Sequence, residues 1–452
     1  MRFRLLLLVP LLTSCAAPQT DRPLPDVPPI TDALPPMKTF GAVNPVPAQR
    51  SNAEMARDFL DLSFAMENGD QLAVMSRFEG PITVAIRGPA PATASADLDR
   101  VLARMRREAR LPISRTTGAA SVSIEFVPVA RMRGIAPTAA CFVVPGVRTF
   151  DEYAANLRSP DLDWTRLTTR TNAAIFIPSD EAPQEVRDCL NEELAQAIGP
   201  LNDLYRLPDS VFNDDNFHGI LTGFDMLMLR TYYAPELRSG MTRAQAAEVV
   251  PTLLRRFNPK GAFSAPQIPP DTPRAWIRAI ETAFGPDGST ARRHSAAQRA
   301  LAIAQKQGWT DNRLGFSWFA LARLSLDRDV PTALSGFIEA ARAFRALPDK
   351  GVHTAHEDMQ MAAFALASGQ AEAAILLTDV ALPAARQSEN AGLMATLLMM
   401  RSEALRLLDQ PAASRDARRE ALGWARFGFT DDADVRQRMG DIQALSPDRV
   451  SP

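Results

Sequence analysis

Histidine is scarce: four residues in 452, His218, His294, His353 and His356. Only His218 falls in the first half of the chain, so three imidazoles cannot be gathered there around a catalytic zinc. A lone His218 reads as a structural residue. Charge of one sign is missing as well. Lys and Arg number 50 against 52 Asp and Glu, a net charge of −2, and without a basic field nucleic-acid binding is excluded. Beyond the first residues no apolar run approaches the length of a membrane-spanning helix. Ser210 has neither a nucleophile elbow nor a neighbouring histidine pattern, which removes a serine-hydrolase role. Cysteine is limited to Cys15, Cys141 and Cys189.

Proline, in contrast, is abundant at 36 residues and clustered. Its clusters divide the chain into segments 1–15, 16–50, 51–258, 259–273, 274–440 and 441–452. Arg2 and Arg4 precede an apolar stretch, Leu5 to Leu12, too short to cross a bilayer. The stretch ends in "LTSC", which resembles a bacterial lipobox with Cys15 as the acylated residue; plain secretory cleavage nearby is the alternative. Ala16 after the cysteine, by resemblance to the usual sorting rule, favours the outer membrane. The expectation is an envelope lipoprotein facing the periplasm and held to the membrane by acyl chains on Cys15. Pro18 to Pro47 holds nine prolines in thirty residues, a composition suited to an extended tether.

Segment 51–258 reads as an α+β domain with one mixed sheet. Asn52 to Asn68 predicts a helix capped by Ser51 or Asn52 and ended at Gly69. "PITVAIRG", "SVSIEFV", "CFVVP" and "NAAIFIP" predict four strands. A second helix, capped by Ser95, carries Leu98, Val101, Leu102 and Met105 on one face. A third runs from Gln184 to Ile198. At about 100° per residue, Gln196 lies about 40° from Glu192, so the two share a polar edge beside the Val186, Leu190, Leu194 and Ala197 core stripe. Gly199 is expected in a left-handed turn that ends this helix, with Pro200 preventing its continuation.

"EELAQAIGPLND" resembles the metzincin motif, in which histidines at the first, fifth and eleventh places bind zinc and a glutamate acts as base. Glu192, Gln196 and Asn202 occupy the histidine places, Glu193 that of the base, Gly199 that of the glycine and Asp203 that of the trailing acid. "DSVFND" looks like a Met-turn with Phe212 at the methionine place, and "LTGFDMLMLRTYY" like the helix closing that fold. Over roughly Phe78 to Pro259 the chain is similar to bacterial lipoproteins known as domain of unknown function 2927. The resemblance implies a zincin-like fold and no particular activity. Carboxamides suit zinc poorly, and without zinc Glu193 has no acidified water to deprotonate. The expectation is therefore no cofactor and no peptidase activity; a hydrolase using an unconventional metal or carboxylate site at Glu192 and Glu193 is the alternative. Asn213, Asp214, Asp215 and Asn216 read either as a turn or as oxygen ligands for a hard cation. In an oxidising compartment Cys141 and Cys189 would form a disulfide clamping the helix to the sheet.

Segment 274–440 reads as all-helical. "DVPTALSGFIEAA", "QAEAAILLTDVAL" and, more loosely, "QPAASRDARREAL" repeat small residues: Ala333 and Ala340, Ala374 and Ala381, Ser414 and Ala421. Their anchors lie 41 and 40 residues apart. The pattern resembles a tetratricopeptide array with a longer period, which implies a protein or peptide partner; a compact bundle is the alternative. Met394, Met399, Met400 and Trp424 read as core.

Overall fold

The computed structural model describes residues 34–41, 46–285, 288–347 and 351–448. The lipobox at Cys15 lies outside them. The described chain divides into two units, residues 46–272 and residues 273–448, the latter together with 34–41.

The first unit opens with α1 (Asn52–Ser63). Ser51 caps it by accepting from the Glu54 amide, and it ends at Phe64, short of the expected Asn68. Gly69, with φ +95°, shapes the following turn instead. Next come β1 (Ile82–Arg87), α2 (Ala94–Glu108), β2 (Ile113–Arg115), β3 (Val122–Val127), α3 (Val129–Arg133), β4 (Phe142–Pro145), α4 (Phe150–Ala155), β5 (Ala173–Pro178), α5 (Pro183–Ile198), α6 (Gly223–Tyr232) and α7 (Arg243–Phe257). Ser95 does not cap α2; it lies inside it, and Thr93 at the cap position makes no side-chain bond.

The sheet has five strands in the order β2-β1-β3-β5-β4. β2 is missing from the sequence reading because three residues, "ISR", are too few for a period-two pattern to register. The first four strands in that order pair in parallel, and β4 runs antiparallel to β5 at the edge. β5 is buried along its whole length, as a strand covered on both faces must be. Alternate residues feed two cores. Ala173, Ile175 and Ile177 join Val84, Val122 and Ile124 in the larger core with α1, α2, α5, α6 and α7. Ala174 and Phe176 face the smaller one with Met132 and Phe150, where Phe142, Phe150 and Tyr153 pack around the Phe176 ring.

The second unit is all-helical: α8 (Arg274–Phe284), α9 (Thr290–Lys306), α10 (Asn312–Ser325), α11 (Val330–Arg345), α12 (Val352–Ala367), α13 (Ala371–Gln387), α14 (Ala391–Leu407), α15 (Pro411–Gly428) and α16 (Asp432–Gln443). The helices pack as successive pairs: α8 with α9, α10 with α11, α12 with α13, α14 with α15. α11, α13 and α15 begin at Val330, Ala371 and Pro411, reproducing the repeat spacing. The small residues that defined it, Ala333, Ala340, Ala374, Ala381, Ser414 and Ala421, are buried. Between α14 and α15 one of them brings backbones together with a serine of the facing helix: Ser402 Oγ donates to the Ser414 carbonyl (2.9 Å) and Ser414 Oγ to the Ser402 carbonyl (2.8 Å). Met394, Met399, Met400 and Trp424 are buried. No helix among the described residues is long and apolar enough to cross a membrane.

Candidate functional site

Helix α5 follows β5 after a short turn, with Pro183 at its first position, where a missing N–H costs nothing. The expected half-exposed amphipathic helix is not what forms. From Val186 to Ile198 only Asp188 and Glu192 are not buried, and Glu193 and Gln196 are 5% and 6% exposed. The polar edge drawn through Glu192 and Gln196 is therefore largely internal, because Glu67 after α1 and Asp203 and Asp214 after α5 lie against it.

The C-terminal end of α5 is satisfied by a residue that sequence reasoning missed. Arg170, 3% exposed, lies just before β5. Its guanidinium donates to the carbonyls of Gln196 (2.8 Å), Ala197 (2.8 Å) and Gly199 (2.6 Å). Tyr233 Oη donates to the Ile198 carbonyl (2.7 Å). A buried cation on these orphan carbonyls meets both the unpaired acceptors and the negative end of the helix dipole. Gly199 does not take the left-handed conformation expected of it; its φ is −132°. Glycine is required there by proximity: a Cβ would lie 2.7 Å from Leu229 Cδ2 and 2.9 Å from the Ala195 carbonyl oxygen.

The motif residues do converge. Gln196 Nε2 donates to Glu67 Oε1 (3.3 Å) and to Asp203 Oδ2 (3.4 Å). Asp203 is also hydrogen-bonded to Glu67. Asn202 turns away from this group, its amide donating to the Asp61 carbonyl on α1 (2.9 Å). Glu193 Oε2 and Asp203 Oδ1 are buried without a hydrogen-bond partner. Burial, reinforced by Glu67 and Asp214, pushes the Glu192 carboxyl up to about 8. Burial, then Glu192 and Glu67, holds Glu193 well above the usual carboxylate range. Asp203 is raised by burial and then by Glu67, Asp214 and Glu192. Asp188, one turn before Glu192, is pushed up to about 7 by burial against the pull of Arg187. The site is thus a gathering of carboxyls in which Glu192, Glu193 and Asp203 are raised by burial and by their neighbours. Its two contributors from outside the motif, Glu67 after α1 and Asp214, carry no local pattern that would announce them.

The segment after α5 is organised by another missed residue. Asp225, fully buried on α6, accepts from Ser210 Oγ (2.5 Å), the Val211 amide (3.2 Å) and the Thr222 amide (2.7 Å). This fixes the Ser210–Phe212 turn, with Phe212 fully buried. Burial pushes Asp225 up to about 6 despite these donors. Asn213 to Asn216 form side-chain-to-backbone turns. Asp215 Oδ1 accepts from the Phe217 amide (3.1 Å), Asn213 Oδ1 from the Asp215 amide (3.1 Å), and Asn216 takes a φ of +59°. Among the described residues no group of three or more His, Cys, Asp or Glu is arranged to hold a metal ion.

Cys141 and Cys189 are joined in a disulfide with their Cα atoms 6.1 Å apart. It ties α5 to the entrance of the edge strand β4. His218 lies beyond these elements, half-buried and engaged with its surroundings.

The donor set does not fit the zinc of the resemblance. Two of the three ligand places carry carboxamides, and both of these are already committed, Gln196 to Glu67 and Asp203 and Asn202 to Asp61. Residues 52–252 match the model of a family described as a protein of unknown function, DUF2927. No curated protein is significantly similar to the chain.

Proposed function

We propose that this protein is a non-catalytic envelope lipoprotein, tethered through acylated Cys15 and facing the periplasm at the outer membrane. In this reading residues 46–272 keep a zincin-like frame as a scaffold, and the tetratricopeptide-like helical unit binds a protein or peptide. The observation that carries it is the closure of the motif: Gln196, Asp203 and Glu67 bond to one another, and Asn202 bonds to α1. A strand order with one antiparallel edge strand, and the motif helix directly after β5, support the zincin-like frame. Exposed Leu376 and Val380 on α13, one turn apart, and Ile338 on α11 support a binding role for the helical unit.

Elemental analysis of the purified chain and digestion of a broad peptide library test the scaffold reading, with no stoichiometric zinc and no cleavage expected. Mass spectrometry of the membrane-extracted protein tests the anchor. Acyl groups on an N-terminal Cys15 are expected, and Cys15→Ser should leave the chain unprocessed or released.

The second reading, a hydrolase with an unconventional site at Glu192 and Glu193, is favoured by one observation. Glu193 Oε2 and Asp203 Oδ1 are buried and unpartnered, an arrangement able to hold and deliver protons. Library cleavage that is lost in Glu193→Gln would establish it and displace the scaffold reading.

A further inference from the structure

Residues 34–41, "LPPMKTFG", belong by sequence to the proline-rich stretch that precedes the first unit, yet they pack against α15 of the second. Leu34 and Phe40 are each 8% exposed, while Pro36, Lys38 and Thr39 between them face solvent. The Phe40 ring stacks on Trp424 with centroids 4.5 Å apart and meets Phe427 edge-on at 6.2 Å. Lys38 makes three contacts. Its amide donates to the Gly423 carbonyl (2.9 Å), its ammonium lies 5.6 Å from the Trp424 centroid, and the same ammonium pairs with Glu420 at 3.4 Å. Arg426 Nη1 donates to the Pro35 carbonyl (3.2 Å). α15 is shaped for this passage. Gly423 sits inside the helix, where glycine disfavours helix formation, and a Cβ there would approach Lys38 Cγ to 3.1 Å and the Pro36 carbonyl oxygen to 3.4 Å.

We infer that the Trp424 face of α15 is a peptide-binding site whose occupant is this chain's own Leu34–Gly41 segment, a ligand held in cis. Two apolar anchors six residues apart, Leu34 and Phe40, bracket a stretch in which Pro36, Lys38 and Thr39 face solvent. Within it the prolines of an extended, pre-ordered backbone reduce the entropy lost on docking. Lys38 is read by an aromatic face and a carboxylate together. The consequence concerns the tether. The chain preceding the folded protein is fastened to the helical unit rather than entering the first unit directly. Eighteen residues, 16–33, then separate Cys15 from the docked segment in the sequence. The docking stands on its own contacts and does not depend on the scaffold reading; only the consequence for the tether assumes the anchor at Cys15.

The experiment is hydrogen–deuterium exchange on the full chain, with two variants and a probe. The Lys38 amide, which donates to the Gly423 carbonyl, is expected to exchange at least tenfold more slowly than in the free synthetic peptide LPPMKTFG. Phe40→Ala removes the anchor stacked on Trp424. Gly423→Leu blocks the seat while favouring the helix. Both should bring this amide to the free-peptide rate and leave the protection of α14 and α15 intact. Labelled LPPMKTFG should then bind the Phe40→Ala chain, whose site is vacated, and bind neither the unmodified chain nor Gly423→Leu. Free-peptide exchange of the Lys38 amide in the unmodified chain would overturn the inference. So would a labelled peptide that binds Gly423→Leu as well as it binds Phe40→Ala.

Discussion

At the scale of single residues the site is governed by carboxyls whose charged form is out of place. The folded protein raises Glu192 from an ordinary 4.5 to about 8. Between those values the native state binds more protons than the unfolded one, so stability falls as pH rises through this window. Glu193 and Asp203, raised for the same reason, act in the same direction. The first unit should therefore be more stable near pH 5 than near pH 8, as measured by urea unfolding at the two values. Glu193→Gln removes a buried carboxyl with an unpartnered oxygen. It should raise stability at pH 8 by about 1–3 kcal/mol and flatten the pH dependence; a loss at pH 8 would contradict this account. Arg170 works in the opposite sense. Arg170→Met would leave the Gln196, Ala197 and Gly199 carbonyls without their buried donor. The expected cost is at least about 3 kcal/mol in urea unfolding, since hydrogen bonds to charged groups contribute about 1.5–3 kcal/mol each.

At the scale of elements, the disulfide and the small-residue helix contacts determine which pieces stay together. The bond from Cys141 to Cys189 closes a loop of 48 residues containing α4 and β5. Paired replacement by serine should cost roughly 4 kcal/mol by the loop-entropy account. Chemical denaturation with and without reductant measures it. The motif helix is held by three different devices: this bond on one side, Arg170 at its end, and Asn191, which accepts from the Leu221 amide (3.3 Å) in the segment before α6. None of the three needs a metal, so α5 is held in place while Gln196 and Asn202 are turned to other partners. In the helical unit the corresponding device is close approach. Buried Ala and Ser at the repeat anchors set helix spacing, and a bulkier residue at Ala340 or Ala381 would overpack a completed interface at a cost of about 1–3 kcal/mol.

At the scale of the whole molecule, each unit buries its own core, and the chain between them is accessible. Residues 263–267 are exposed, and Phe263 is 91% exposed. Brief chymotrypsin treatment should cut after Phe263 before any site inside either unit, giving two fragments that remain folded by circular dichroism. Earlier cleavage within α5 or α14 would show that one of the cores is not independently stable. Reduction of the disulfide should lower only the unfolding transition of the first fragment, because both cysteines lie in it.

In the sequence by itself β2, α3 and α4 were not legible, whereas the four longer strands, the helices α1, α2 and α5, the small-residue repeat and the pairing of Cys141 with Cys189 were. Each depends on a local period or on a count: alternation in "ITVAIR" and "VSIEFV", anchors 41 and 40 residues apart, and two thiols left once Cys15 is set aside. The motif on α5 was legible for the same reason, since all its letters lie in one short stretch. Tertiary structure alone decided what those letters do. Glu67 and Asp214 join Glu192 and Asp203 from other parts of the chain, Arg170 reaches the end of α5 from before β5, and Asp225 arranges Ser210–Phe212 from the next helix. Gly199 shows the difference in one residue. A glycine after a helix predicts a left-handed turn, but here it answers to Leu229, thirty residues on. Periodicity records which side of an element is apolar; it carries no record of which distant side chain arrives to meet it, and the protonation of a buried carboxyl depends on that arrival.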